Sequence, residues 1–235
     1  MNAIEIVEQL RKLGADSYKR VLVNHGAKEP LFGVKIADLK KFQKQIKKDY
    51  QLGLELFDTG IYDAQYLAGL IADEQRMTKR DLRRWVAKAN CTAICGSVVS
   101  WVTAESRYGY EMAVEWIDSK QEGVAQTGWT TLSSLVSVKD DAELDLGQLR
   151  KLLSRVEQTI HLQPNLVRYA MNGFVISLGT YVGDLTKAAM QTAVMIGKVS
   201  VEMGNTACEV PAAVEYLEKV QQRGSIGKKR KTARC

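Results

Sequence analysis

Proline is scarce in this chain. Three prolines among 235 residues leave long helices unobstructed, because proline removes a helix hydrogen bond and its ring clashes with the preceding turn. Histidine is scarcer, with only His25 and His161, far apart in sequence. That excludes a histidine-rich metal site, and neither histidine has the context of a hydrolase triad. Four cysteines, Cys91, Cys95, Cys208 and Cys235, are too few and too irregular for a disulfide framework and read as reduced thiols in a cytosol. No apolar run is long enough to span a bilayer. The N-terminus lacks the charged, apolar and small-residue order of a signal peptide.

What remains is helical almost throughout. Ile4, Val7, Leu10 and Leu13 make one stripe ahead of Gly14, and a short helix follows over 17–24. After a loop broken by Pro30 and Gly33, the rhythm predicts helix pairs: 35–47 with 52–58, 62–72 with 79–89, 91–103 with 110–117, 124–136 with 146–160, and 166–181 with 185–196. The pair-to-pair spacing is about 30–45 residues, the range of HEAT and related repeats. The alternative is a non-repetitive helical bundle. Thr78 and Asp81 have capping-box spacing, and Pro164 suits the first turn of a helix. Alternating Val199, Val201 and Met203 before Gly204-Asn205 predict a β-hairpin over 198–210, ahead of a last helix at 212–222. The expected fold is therefore all-α, a HEAT-like or armadillo-like helical-repeat superhelix in one domain over 1–222. A basic tail over 223–235, expected to be mobile, ends the chain.

Charge is unevenly placed. The net charge is +6, and Lys228, Lys229, Arg230, Lys231 and Arg234 supply five of it, leaving +1 for the rest. A nucleic-acid face on the body must come from local segregation of charge. The best candidate is the helix holding Leu82, Trp85, Val86 and Ala89 inward. Arg80, Arg84 and Lys88 form one outer row, Lys79 and Arg83 another. Its alternatives are phosphate contact or an ordinary solvated face. Arg168 and Asn172 share a face with Tyr169 beside them, a set suited to a DNA backbone or an unstacked base. Lys228, Lys229, Arg230 and Lys231 can hold phosphate without reading sequence, or simply solubilise the terminus. Trp85, Trp101, Trp116 and Trp129 fall on apolar faces and read as core.

The stretch WIDSKQEGVAQTGWTTLSSLV, together with PNLVRYAMNGFVIS further on, resembles the bacterial DNA alkylation-repair family of HEAT-like DNA glycosylases. The resemblance covers most of 20–197 and is strongest over 62–181. In that family an Asn-Trp pair opens a central helix, with an Asp four residues after the Trp. Here the matching stretch is Asn90-Cys91-Thr92-Ala93-Ile94-Cys95, so Cys91 stands for the Trp and Cys95 for the Asp. Gln126 stands for an Arg, Phe174 keeps a ring where the family has Trp, and Ser177-Leu178 replace Arg-Glu. A glycosylase transition state carries positive charge on the sugar, which a fixed carboxylate stabilises and a neutral thiol does not. Asp118 and Glu115 are the nearby acids that could substitute, or they are solvated helix-end residues. Cys91 and Cys95 have i, i+4 spacing; buried thiols are the expected reading, and a metal would need two further ligands.

The resemblance implies a bacterial cytosolic protein that uses neither metal nor cofactor and whose partner is DNA, in duplex, damaged or branched form. The leading expectation is binding by shape and phosphate contact with glycosylase activity lost or marginal. The alternatives are an active glycosylase for N3- or N7-alkylated purines, and a protein-interaction scaffold.

Overall fold

The computed structural model describes residues 1–204, 206 and 208–234. Its helices are α1 (Ala3–Leu13), α2 (Asp16–Asn24), α3 (Ile36–Ile46), α4 (Tyr50–Asp58), α5 (Tyr62–Ile71), α6 (Lys79–Lys88), α7 (Thr92–Ile94), α8 (Ser100–Glu105), α9 (Gly109–Ile117), α10 (Glu122–Val138), α11 (Leu146–Thr159), α12 (Asn165–Tyr181), α13 (Thr186–Ile196) and α14 (Ala213–Gln222). A π-helical turn, Cys95–Val99, joins α7 to α8. The described residues form two compact units. The first is Met1–Tyr108 with Gly204, Thr206 and Arg234. The second is Gly109–Met203 with the chain from Cys208 to Ala233.

Local sequence sets the helix ends. Asn2 and Glu5 make a reciprocal capping box on α1, and Thr78 and Asp81 make the expected one on α6. Burial of Asp81 works against its charge, but hydrogen bonds from Thr78 and Tyr50 outweigh it and hold the carboxyl below its usual range. Gly60 turns the chain between α4 and α5 at φ 69°, a conformation that favours glycine.

Packing follows a repeat rather than the sequential pairs expected. Helix α10 packs mainly on α9 and α12, while α11 packs on α13. Short turns make the hairpins α4/α5 and α9/α10, so the pairing of 124–136 with 146–160 is corrected by one helix. Within the units, α6 stacks in parallel on α4, α12 on α10 and α13 on α11. Leu166 N donates to Glu122 Oε1 across 44 residues, and the Phe174 ring meets Trp129 one further step along the same two helices. Arg150 reaches the Asp184 carbonyl across 34 residues, and His161 reaches that of Ile196 across 35. Tyr50 bonds Asp81 across 31. Recurring offsets of a few tens of residues are the mark of stacked helical repeats.

The seams are tight. A Cβ on Gly128 would lie 2.7 Å from Ile117 N and 2.8 Å from Ala113 O, so α10 meets the backbone of α9 directly. Backbone cannot step aside as a side chain can. Gly128→Ala is therefore expected to cost about 1–3 kcal/mol as overpacking. Urea melts should show a lower midpoint with unchanged slope; an unchanged midpoint would show that the seam yields.

Two expectations are corrected. The hairpin over 198–210 makes no strand among its described residues, and Asn205 and Ala207 lie outside them. Backbone bonding there goes to a helix instead: Asn165 accepts from Glu202 N at 2.8 Å and donates to Glu202 O at 2.9 Å. The basic tail is not free. In the second unit Gly227 N bonds Thr180 O, Arg230 N bonds Ser137 O, and Lys229 Nζ reaches both Val136 O and Asp141. In the first unit Arg234 donates to Leu70 O at 2.7 Å and Ala72 O at 3.1 Å and pairs with Glu74. The carbonyls at the end of α5 have no intrahelical donors; Gln43 and Asp49 N serve Leu70 and Ile71, and the guanidinium adds donors at Leu70 and Ala72.

Candidate nucleic-acid interface

Helix α6 is the basic element of the first unit. Leu82, Trp85 and Val86 face inward, with Trp85 stacked on Phe57 at 4.1 Å between ring centroids. The outward rows hold Arg80, Arg83, Arg84 and Lys88, all exposed, with Lys79 partly so. The rows are not equivalent. Asp58, the last residue of α4, bonds Arg84 and sits 3.3 Å from Lys88 Nζ. A carboxylate at a helix C-terminus is unfavourable against the dipole, so Asp58 needs such cations. That mismatch was readable in the sequence and was missed there. Lys79 lies over the Tyr108 ring at 5.4 Å.

The turn before α7 is built by polar residues, of which sequence reasoning noted Asn90 and missed Gln65. Gln65, fully buried, donates to Phe57 O and Lys88 O and accepts from Asn90 N. Asn90 donates to Gly60 O and accepts from Lys28 N. Buried Asp63 accepts from Phe32 N and Val34 N, which fixes the loop ahead of α3. These groups are committed to holding backbone.

The four positions matched to a glycosylase site are all closed. Cys91 is 5 % exposed, Cys95 6 %, Gln126 8 % and Phe174 0 %. Burial pushes the Cys91 thiol up, against the opposing pull of the Ile94 and Ala93 amides, so at neutral pH it is protonated. Cys95 donates to Val86 O at 3.8 Å and opens the π turn, where its carbonyl accepts from the Ser100 amide and hydroxyl. Phe174 packs its ring 5.4 Å from Trp129 in the core of the second unit. Of the possible substitute acids, Asp118 is tied to Arg155 at 2.8 Å, and Glu115 is exposed. Among the described residues no cluster of His, Cys, Asp or Glu could hold a metal.

In the second unit Arg168 is half-buried. One terminal nitrogen bonds Asn165 at 3.3 Å, and its buried Nε meets no acceptor. Tyr169 beside it is exposed. Asn172 is buried and gives its amide to Pro211 O at 2.9 Å. All four tryptophans are buried, as their apolar faces indicated. No helix among the described residues is long and apolar enough to cross a membrane.

A family model described as DNA alkylation repair enzyme matches residues 6–217. Uncharacterised proteins from Listeria monocytogenes and Listeria innocua are each 30 % identical over 220 residues, covering 92 % of this chain and 95 % of theirs. A solved structure aligns over the whole of both chains with a TM-score of 0.92 and 32 % identity. It is described as a new family of proteins related to the HEAT-like repeat DNA glycosylases with affinity for branched DNA structures. The fold class read from helix rhythm, an all-α HEAT-like repeat, is the fold of that neighbour.

Proposed function

Since the chain belongs to the DNA alkylation repair enzyme family, we propose that it binds DNA, branched DNA above all, by shape and phosphate contact, without base excision. One observation carries this reading. The positions matched to the glycosylase site hold buried neutral side chains, while α6 keeps an exposed row of cations. The solved relative's affinity for branched DNA supports the choice of partner. Arg80 and Arg83 on α6, with Arg168 and Tyr169 on α12, are the contacts assigned to it. Arg84 and Lys88 share the Asp58 carboxylate, which neutralises part of their charge.

Titration of labelled duplex, nicked duplex and a four-way junction at two salt concentrations tests the reading. Binding should fall steeply with salt and favour the junction, because each phosphate contact releases counterion. Arg80→Glu with Arg83→Glu should weaken junction binding by at least about tenfold and flatten the salt slope by about two. Arg84→Glu alone should do less. Binding that ignores salt, or a double variant that binds normally, overturns the assignment and favours a protein partner.

A further inference from the structure

The docked C-terminal segment makes a surface that the site above does not include. Three bonds fix residues 227–230 on the second unit: Gly227 N on Thr180 O at 2.8 Å, Lys229 Nζ on Val136 O at 2.9 Å, and Arg230 N on Ser137 O at 2.8 Å; Ala233 further on is buried. The segment reads GKKRKTA and contains no acid. Asp141 answers Lys229 at 2.7 Å. Lys228, Arg230 and Lys231 remain exposed.

Aromatic rings lie alongside. Thr180, which receives the Gly227 amide, is followed by Tyr181, the half-exposed last residue of α12. Helix α14 comes to the same end of α12. A Cβ on Gly179 would lie 2.8 Å from the Leu217 side chain, so the two helices touch there. Tyr216, next to Leu217, is 46 % exposed. The ionisation of Tyr181 registers both neighbours. Burial raises it most, the Arg230 charge opposes, and Tyr216 adds to the rise. The acid nearest in sequence, Glu215, is 4.0 Å from Lys219 on its own helix.

We propose that this surface is a second nucleic-acid site, specific for unpaired nucleotides. A base stacks on Tyr216 beside Tyr181, while Lys228, Arg230 and Lys231 hold the flanking phosphates. Fixed cations next to an accessible ring are what a single strand requires, since every base has a stacking face and duplex pairing hides it. Acidic protein would use the charges and leave the ring without a role. The inference rests on the DNA-binding reading and deepens it, because branched DNA exposes unpaired nucleotides at its arms and crossover.

Fluorescence anisotropy of the full chain with labelled oligothymidylate, run beside a blunt duplex and the four-way junction, provides the test. Tyr216→Ala should weaken oligothymidylate binding about tenfold, within the range of one lost base stack, and change blunt-duplex binding less than twofold. Tyr216→Phe should bind like the parent, since the ring and not the hydroxyl stacks. Lys228→Glu with Lys231→Glu should flatten the oligothymidylate salt slope by about 1.4. Thermal melts check that the exposed substitutions leave the fold intact. Oligothymidylate binding unchanged by Tyr216→Ala, or a loss equal on duplex and single strand, overturns the inference. A parent protein that binds junction but not oligothymidylate overturns it too and leaves the DNA-binding reading standing. Binding to none of the three overturns both.

Discussion

Alkylated duplex DNA incubated with the purified protein is expected to keep its methylated purines. The reason is chemical before it is geometric. Cleavage of the base–sugar bond develops positive charge on the sugar, and stabilising that charge needs a fixed anion with access to it. Cys95 provides a buried thiol facing the Val86 carbonyl, and Cys91 is kept protonated by its burial. Removing such a carboxylate costs about 10²–10⁴ in rate. Restoring it should also fail. Cys95→Asp places a carboxylate in a closed position opposite a carbonyl oxygen, so it should destabilise the fold by at least about 1–3 kcal/mol and release no base. Chromatography of the reaction supernatant measures release directly. Robust release by the parent, lost on substitution of a surface acid such as Glu115 or Asp118, would show a different catalytic carboxylate and reinstate the enzyme.

Arg234→Met should destabilise the first unit strongly. Glu74 is 2 % exposed and answers both Arg234 and Lys48, the latter at 2.6 Å. Burial also lowers the Arg234 pKa from its usual value. Removing one member of a buried pair leaves the other charge poorly compensated, at about 3–5 kcal/mol. The Ala72 carbonyl loses the guanidinium donor as well, and Leu70 O keeps only that of Gln43. At about 2–4 °C per kcal/mol for a protein of this size, the melting midpoint should drop on the order of 10 °C. The double variant Arg234→Met with Glu74→Met should recover much of the loss, because it removes the orphaned charge. A single variant that melts like the parent would show that the contact adds nothing. Deleting the tail therefore removes structure along with charge, and point variants are the cleaner probe of DNA contact.

The fold was legible because it is written in short-range pattern. Helix ends at Asn2, Thr78 and Pro164, and the periodic faces around them, follow from local chemistry. The order of packing was not, because α10 meets α9 through Gly128 and α12 through Trp129, contacts of shape that no spacing reveals. The site was half legible. A basic row on α6 could be read from positions 79–88, but its partial neutralisation by Asp58 depends on a contact between α4 and α6. Asn172 looked like a surface partner of Arg168, and the structure gives its amide to Pro211. Helical periodicity assigns a face, not the segment that covers it. The tail misled for the same reason. Its composition is that of a solvated segment, and its anchoring rests on backbone amides at Gly227 and Arg230 and on single side chains, Lys229, Ala233 and Arg234.

Most hydrogen bonds between stacked helices span a few tens of residues, so a growing chain can make each one soon after its second helix is synthesised. The contact of Arg234 with Leu70 spans 164. Helix α5 and Glu74 are made first and must wait for their guanidinium while the 164 residues up to Arg234 are translated. At about 5–20 residues per second, that delay is on the order of ten seconds or more. Throughout it, the nascent first unit carries a buried carboxylate without its principal partner. Synthesis of the Arg234 segment, rather than the formation of the early helices, thus sets when this unit reaches its final stability.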